Sequence, residues 1–316
     1  MGAIPLLSIV GPTATGKTVV AVEVAKRLGG EIVSADSMLV YRYMDVGTAK
    51  PTAEERQGIP HHMIDIVNPD EAYSVARYQE QAERCIREIA SRGKLPLLVG
   101  GTGLYVRAVV DRYNFPPGGY DPELRRRLEE EAKTSGAEAM HYRLACIDPE
   151  AAGKIHPRNL KRVIRALEIF YLTGRLPSRG ERKKEGPGYN LVMFGLVLER
   201  SLLYRRIEER VDKMLSAGLV EEVRQLLARG YGPELVSMQG LGYKEMVQYL
   251  LGRTTLEEAV RLLKRNTRRF AKRQLTWFGR DPRIRWLDVG RYPGKKEIAG
   301  EIVRLVEGVF KDASKS

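Results

Sequence analysis

The sequence predicts an α/β fold in which helices flank a parallel sheet and a helical domain is inserted. A glycine-rich turn at residues 11–18 joins an apolar run to an amphipathic helical pattern. Short apolar runs then alternate with helical periodicity, which is typical of parallel strands joined by helices. Two stretches rich in Pro and Gly, residues 114–119 and 175–189, enclose a charged helical region. The expected parts are a core of residues 1–114 and 189–316 and an insertion domain of residues 115–188.

Residues 11–18 read GPTATGKT and match the phosphate-binding loop G-x-x-x-x-G-K-[ST], the P-loop, at every fixed position. The apolar run Ile4–Val10 before it predicts a strand, and Lys17–Leu28 after it predicts a helix. A chance match in a chain of this length has a probability on the order of 1%. Lys17 would reach the terminal phosphates, and Thr18 would offer a hydroxyl to Mg²⁺. We therefore expect a P-loop NTPase-like core with a phosphate or diphosphate site, whose ligand the motif leaves open.

Two predicted strands end on polar or glycine-rich turns. The strand that begins at Glu31 runs into Asp36, and the strand at residues 95–99 runs into residues 100–103, Gly-Gly-Thr-Gly. The carboxyl ends of parallel strands meet at one rim of the sheet, which would bring Asp36 near the P-loop. The alternative for Asp36 is a turn residue or a helix cap. Thr102 could bond a ligand or cap the next helix.

Apolar periodicity predicts the remaining elements. A strand is expected at residues 63–67 behind His61 and His62, which are neighbours that point to opposite faces and so make a poor metal pair. Further strands are expected at residues 191–198 and 284–289. Helices are expected at residues 74–92, at 201–230 as a pair broken near Gly218, at 255–278 and at 295–310.

The chain carries 53 Lys and Arg against 40 Asp and Glu, a formal net charge of +13. This excess predicts a polyanionic partner, most simply nucleic acid, although a basic surface also serves solubility. Seven cations and no acid fall within residues 261–273 of the predicted helix. They should repel one another unless an anion is bound. Leu263, Phe270 and Trp277 recur every seven residues and predict the packing face of that helix.

Several classes of protein are disfavoured. The two cysteines, Cys85 and Cys146, form no C-x-x-C pair, so neither a zinc site nor a disulfide framework is expected. A reducing cytoplasm fits this usage. The first residues lack the pattern of a secretory leader, and no apolar run has the length of a membrane span. We expect a cytoplasmic protein with no membrane partner.

Beyond the P-loop, the chain resembles the bacterial tRNA dimethylallyltransferases, also called tRNA isopentenylpyrophosphate transferases. Characteristic stretches include MDVGTAKP at residues 44–51 and QGLGYKE at residues 239–245. Leu39 stands where family members often have Gln. The other matching stretches are residues 34–37, 40–41, 60–65, 99–105, 155–157, 165–168, 271–274 and 276–277. They are specific to this family and do not occur in P-loop proteins at large.

The resemblance implies transfer of a dimethylallyl group from dimethylallyl diphosphate to the exocyclic amine of the adenosine 3′ of the anticodon, in tRNAs that read codons beginning with U. It implies a monomer that binds the tRNA anticodon stem-loop and uses Mg²⁺ as cofactor. Asp36 would be the general base, Thr102 would lie beside the reacting groups, and Lys17 would hold the leaving diphosphate.

The resemblance and the loop motif together imply three sets of site residues. The diphosphate contacts are Gly11, Pro12, Thr13, Ala14, Thr15, Gly16, Lys17 and Thr18, and the metal contacts are Thr18 and Asp36. The tRNA contacts are Asp36, Ser37, Met38, Leu39, Thr102, Arg125, Lys161, Arg162, Val163, Ile164 and Arg165. From the residues alone, Lys161, Arg162 and Arg165 fit either phosphate contact or a solvated helix face.

Two other functions remain open from the sequence. A P-loop small-molecule kinase would explain the loop, and the insertion as a lid, but not the basic helix. An ATP-binding protein that acts on nucleic acid would explain the charge, but the strand at residues 95–99 is not followed by an acid that could hold Mg²⁺. Release of inorganic diphosphate, rather than ADP or orthophosphate, distinguishes the transferase from both.

Overall fold

The computed structural model describes residues 3–115, 121–179, 182–183 and 188–313. The chain forms two compact units, one of Met1–Val110 with Pro187–Ser316 and the other of Asp111–Gly186. The first unit contains the P-loop and a parallel sheet. The predicted α/β class is confirmed.

The sheet of the first unit has six strands in the order β3-β2-β4-β1-β7-β8, and every neighbouring pair is parallel. Its two central strands are β4 and β1, and β1 pairs with β4 on one side and β7 on the other. The strands are β1 (Ile4–Val10), β2 (Gly30–Ser34), β3 (His61–His62), β4 (Leu95–Gly100), β7 (Tyr189–Val197) and β8 (Ile284–Asp288). The carboxyl ends of β1, β2 and β4 share one rim, where the P-loop begins.

Helices cover both faces of this sheet because successive side chains of β1 point to opposite sides. Leu7 and Ile9 pack with α1 (Lys17–Leu28) and α12 (Lys295–Ala313), whereas Leu6 and Val10 pack with α3 (Val75–Ser91) and α4 (Gly103–Val110). The helices of the first unit are α1 (Lys17–Leu28), α2 (Ala53–Arg56), α3 (Val75–Ser91), α4 (Gly103–Val110), α8 (Arg200–Ser216), α9 (Leu219–Ala228), α10 (Tyr243–Leu250), α11 (Leu256–Phe278) and α12 (Lys295–Ala313).

A separate apolar cluster joins the segment after β2 to helices α9, α10 and α11. Val40 and Met44 from that segment are fully buried against Leu219 and Tyr243. Two charged side chains, Lys50 and Glu222, hold the same segment in place through hydrogen bonds. The buried Lys50 ammonium donates to the carboxylates of Asp45 and Asp65 at 2.5 Å each. The Glu222 carboxylate of α9 accepts the backbone N–H groups of residues 45–47 at 2.7–3.0 Å.

The second unit is mainly helical. It contains α5 (Pro122–Ile147), α6 (Pro149–Lys154) and α7 (Leu160–Thr173), with short antiparallel strands β5 (Tyr113–Asn114) and β6 (Arg182–Lys183). Gly136 interrupts α5 with φ 84° and ψ 163°. Leu144 and Leu167 are fully buried in its own small core, so this unit has an apolar centre of its own.

Two expectations about the elements were wrong. The strand expected at residues 63–67 is instead the two-residue β3, because Met63 and Asp65 have φ values of 65° and 58°, which no strand accommodates. On α11, only Leu263 of the predicted packing face is on the buried stripe; Phe270 is not, and Trp277 is 37% exposed although it lies against Gly103. The buried stripe of α11 consists of Ala259, Leu263, Ala271, Gln274 and Phe278. Among the described residues, no helix is long and apolar enough to cross a membrane.

Candidate active site

The P-loop follows β1 and ends where α1 begins. Gly11 has φ 139° and approaches β7 so closely that a Cβ there would lie 2.4 Å from the Leu196 carbonyl oxygen. Gly16 has φ 87° and precedes the first residue of α1. Both positions therefore require glycine. The Thr15 hydroxyl donates to the Pro12 carbonyl at 2.9 Å and closes the loop internally.

The N-terminus of α1 lies at the end of this loop. The first turn of α1 contains no acidic residue, and Thr18 in that turn is exposed. Unpaired N–H groups at a helix N-terminus attract anions. The loop and the helix start together provide N–H donors suited to a phosphate group.

Lys17 and Arg210 are two of the cationic side chains near the loop. The Lys17 ammonium donates to the Pro12 carbonyl at 2.7 Å. Burial and the nearby Arg210 guanidinium lower the pKa of Lys17, Asp36 opposes the shift, and the resulting pKa is about 7. Burial also lowers the pKa of Arg210, and Asp36 opposes that shift too. Lys17, Arg210 and Asp36 therefore form one electrostatic cluster.

Asp36 lies on the turn after β2, next to the turn after β4. Asp36 Oδ1 accepts the Met38 N–H at 2.9 Å, so the aspartate also closes a turn. The Thr102 hydroxyl accepts the Ser37 N–H at 3.0 Å, and the Thr102 N–H donates to the Ala35 carbonyl at 3.0 Å. The two turns are thus bonded to each other at the rim that carries the P-loop.

The predicted residues therefore fall into two groups. The P-loop residues, Asp36 to Leu39 and Thr102 lie in the first unit, and the other predicted tRNA contacts lie in the second unit. There, Arg125 and Arg165 bond the fully buried Glu168 carboxylate at 2.5 and 2.7 Å. Lys161 and Arg162 are exposed.

The prediction that Val163 and Ile164 contact tRNA has to be restricted, because both side chains are buried in the core of the second unit. Only their backbone atoms remain for contact with an external partner. Their apolar character follows from their place on the inner face of α7, where they pack with Leu128 and Leu144.

The basic helix α11 is less isolated electrostatically than its sequence suggests. Arg261 pairs with Glu258, Lys264 with Asp212 of α8, and Arg268 with Glu208 of α8. The expectation that this cluster requires an external anion was wrong for these three residues. Within the part of the chain that the structure describes, four cations of α11 form no ion pair: Arg265, Arg269, Lys272 and Arg273.

Sequence reasoning missed Arg210, Lys295 and Gln274. Arg210 donates to the Thr48 carbonyl at 3.3 Å, and a Cβ on Gly16 would lie 2.7 Å from Lys295 Cε. Nothing in the local sequence of α8 or α12 links either cation to residues near the N-terminus. Gln274 had a usable signal, since it is a polar residue on the buried stripe of α11.

Two cavities accompany these residues. A small one of about 30 Å³ lies beside Thr18 and has mainly apolar walls, including Ile32, Leu39 and Val99. A larger one of about 280 Å³ lies between α10 and α11, where Lys244 and Arg265 are among the lining residues. We take the smaller cavity as part of the candidate site because it adjoins the P-loop. Among the described residues, no cluster of three or more His, Cys, Asp or Glu could hold a metal ion.

The fold and the loop geometry define the class, an α/β protein of the P-loop type. The model of the IPP transferase family matches residues 39–281. The tRNA dimethylallyltransferase of Pelotomaculum thermopropionicum is 58% identical over 97% of this chain and 98% of that protein. The tRNA dimethylallyltransferase of Desulforudis audaxviator is 58% identical over 96% of this chain and 98% of that protein. The chain therefore belongs to the IPP transferase family.

Solved structures agree with this assignment. The full-length tRNA isopentenylpyrophosphate transferase of Bacillus halodurans matches with a TM-score of 0.74 and 49% identity, over 98% of each chain. A eukaryotic dimethylallyltransferase acting on tRNA matches with a TM-score of 0.79 and 29% identity, over 91% of this chain and 74% of that chain. The predicted P-loop NTPase-like core is consistent with both.

Proposed function

We propose that the protein transfers the dimethylallyl group of dimethylallyl diphosphate to the exocyclic amine of the adenosine 3′ of the anticodon, in tRNAs that read codons beginning with U. The observation that carries this proposal is the convergence of Lys17, Arg210 and Asp36 beside the P-loop. Cations for a leaving diphosphate and a carboxylate for a proton stand within electrostatic reach of one another. Membership of the IPP transferase family supports the substrates.

Asp36 would act as the general base. The adenine amine is a weak nucleophile because its lone pair is delocalised into the ring. As the new carbon–nitrogen bond forms, the amine proton would pass to Asp36. At the same time the bond from the allylic carbon to the diphosphate oxygen breaks, and its electron pair leaves with the diphosphate. Thr102 would keep this turn in place through its bond to the Ser37 N–H.

The P-loop would stabilise the charge that develops on the leaving diphosphate. Lys17, Arg210 and the N–H groups at the start of α1 would serve as preorganised donors, which is the condition for electrostatic stabilisation of a transition state. Thr18 and Asp36 offer two oxygen ligands, and Mg²⁺ commonly takes the rest from phosphates and water. Mg²⁺ would neutralise part of the diphosphate charge. The scarcity of protein ligands therefore fits this metal.

The tRNA anticodon stem-loop would contact residues 36–39 in the first unit and the exposed Lys161 and Arg162 in the second. The four cations of α11 without ion pairs would bind backbone phosphates. The target base has to leave its stack before its amine can react, so base flipping is expected. We further propose a monomer that acts in the cytoplasm, since one chain supplies the P-loop cations, the base and the basic helix.

A direct test is incubation of the protein with labelled dimethylallyl diphosphate and bulk unmodified tRNA, followed by nucleoside analysis. We expect label on adenosine and one inorganic diphosphate per modified nucleoside, with no requirement for ATP. A kinase would instead release ADP, and an ATP-driven nucleic-acid-binding protein would release orthophosphate. Either product, or a strict ATP requirement, would contradict the proposal.

The basic helix gives a prediction about salt dependence. Changing Arg269 and Lys272 together to Ala should weaken binding of the anticodon stem-loop and flatten the slope of log K against log salt by up to about two units. Both side chains are exposed and have no acidic partner among the described residues. Fluorescence titration at several salt concentrations measures the slope.

The matched control changes Arg84 and Arg304 to Ala. These arginines are exposed, but each pairs with an acid on its own helix, Glu80 or Glu301. Their loss should leave the slope unchanged. Equal slopes for the wild-type protein and the Arg269 and Lys272 variant would show that these two side chains face solvent and do not contact tRNA phosphates.

A further inference from the structure

Gln274 of α11 bridges the P-loop and the turn after β4. Its Oε1 accepts the Thr13 N–H at 2.9 Å, and its Nε2 donates to the Gly101 carbonyl at 2.9 Å. The residue is 5% exposed. Gly101 leaves space for this contact, because a Cβ there would lie 2.2 Å from Nε2.

This arrangement requires a side-chain amide. The Thr13 N–H needs an acceptor and the Gly101 carbonyl needs a donor, and the primary amide of Gln274 supplies one of each from neighbouring atoms. A buried polar group that loses its partner carries a desolvation penalty. An ionised Glu at this position could not donate, and an apolar residue would leave the Thr13 N–H and the Gly101 carbonyl without these bonds. Gln274 can therefore hydrogen-bond both loops, which its apolar neighbours on the stripe, Ala271 and Phe278, cannot do.

The bridge reaches Asp36 through a short chain of bonds. Gly101 precedes Thr102, whose N–H donates to the Ala35 carbonyl and whose hydroxyl accepts the Ser37 N–H. Asp36 lies between those two residues. Fixing Gly101 relative to Thr13 thus fixes the turn that carries Asp36 relative to the P-loop.

We propose that Gln274 is a positioning residue that sets the spacing between the diphosphate cradle and the Asp36 carboxylate. It acts through the two loops and does not touch the reacting atoms. The proposal rests on the proposed function, because it assumes that the cradle holds the leaving group and that Asp36 takes the proton. In this arrangement the Thr13 N–H donates to Gln274, so the diphosphate would be bound by the other N–H groups of the P-loop.

The test compares single-turnover transfer by the wild-type protein, Gln274→Met and Gln274→Glu. Met has nearly the same shape but neither polar group, and an ionised Glu keeps the acceptor while it loses the donor. We expect Gln274→Met to lower the rate about 10–100-fold, since a shift of about 1 Å in a reacting group has an effect of this size. The Kd for the anticodon stem-loop should change little, which separates positioning from tRNA binding. Gln274→Glu should also be slow, and it replaces Gln274→Met if that variant does not fold.

Two controls separate positioning from simple stability. Gln79→Met removes another buried glutamine amide, which donates to Glu83 on α3 at 2.8 Å, and it should lower the melting temperature without lowering the rate. In an Asp36→Asn background, Gln274→Met should cost less than about threefold, because groups that act as a unit are not additive. A wild-type rate in Gln274→Met, or an equal loss in both backgrounds, would overturn this inference alone. Absence of transfer by the wild-type protein would overturn the proposed function and this inference with it.

Discussion

Asp36→Asn should lower single-turnover transfer by a factor of about 10²–10⁴, the usual loss when a positioned general base is removed. Asn keeps nearly the same volume and an oxygen that can accept the Met38 N–H, so the turn after β2 should persist. The fold should survive as well, because Asp36 is half-buried at the rim of the sheet and does not fill its core. Rapid-quench measurement with excess protein over tRNA isolates this chemical step.

The same variant distinguishes three roles for Asp36. If the residue only closes a turn, Asn serves equally well and the rate stays near that of the wild-type protein. If Asp36 chiefly holds Mg²⁺, the defect should shrink as the Mg²⁺ concentration rises. A large loss that persists at saturating Mg²⁺ supports the general base, and a wild-type rate contradicts it.

The sheet and its P-loop could be predicted because their determinants are local. The strand Ile4–Val10, the glycine-rich turn and the helix Lys17–Leu28 lie next to one another in sequence and have the predicted bounds in the structure. The start of α11 was also predictable, since Thr255 caps it by accepting the Glu258 N–H. The short β3 was not, because Met63 and Asp65 have positive φ values and Asp65 bonds Leu39 and Lys50, contacts that the local sequence pattern does not reveal.

The candidate site was harder to predict because part of it comes from distant helices. Arg210 and Gln274 lie far from the P-loop in sequence, and only the packing of α8 and α11 brings them to it. The acids that neutralise Lys264 and Arg268 belong to α8, outside the charged run. A count of charges along one helix therefore overestimates how many are available to a nucleic acid.

Lys17→Met should reduce transfer by about 2–4 kcal/mol in the transition state, which is a factor of about 30–10³, because it removes one charged donor from the leaving diphosphate. Met preserves most of the length of the side chain. The loss should appear in both the affinity for dimethylallyl diphosphate and the rate of transfer, since charge grows on the diphosphate as its bond breaks. A matched control is Lys26→Met, at the exposed C-terminal end of α1, which should transfer at the wild-type rate. A normal rate for Lys17→Met would remove this residue from the mechanism.

The pKa of Lys17 adds a pH dependence with a defined sign. Because burial and Arg210 lower that pKa to about 7, the free protein loses the Lys17 charge as the pH rises above 7. Binding of an anion favours the charged form of Lys17, so the affinity for inorganic diphosphate should fall as the pH rises. The fall should be at most about tenfold per pH unit, and it should end once the pH exceeds the pKa of Lys17 in the complex. Below about pH 6 the lysine is already charged and no further gain is expected. Inorganic diphosphate itself titrates in this range, so the informative quantity is the ratio of the Kd values of Lys17→Met and the wild-type protein at each pH. Calorimetry should show this ratio decreasing towards one between about pH 7 and pH 9, and a ratio independent of pH would contradict a neutral Lys17 in the free protein.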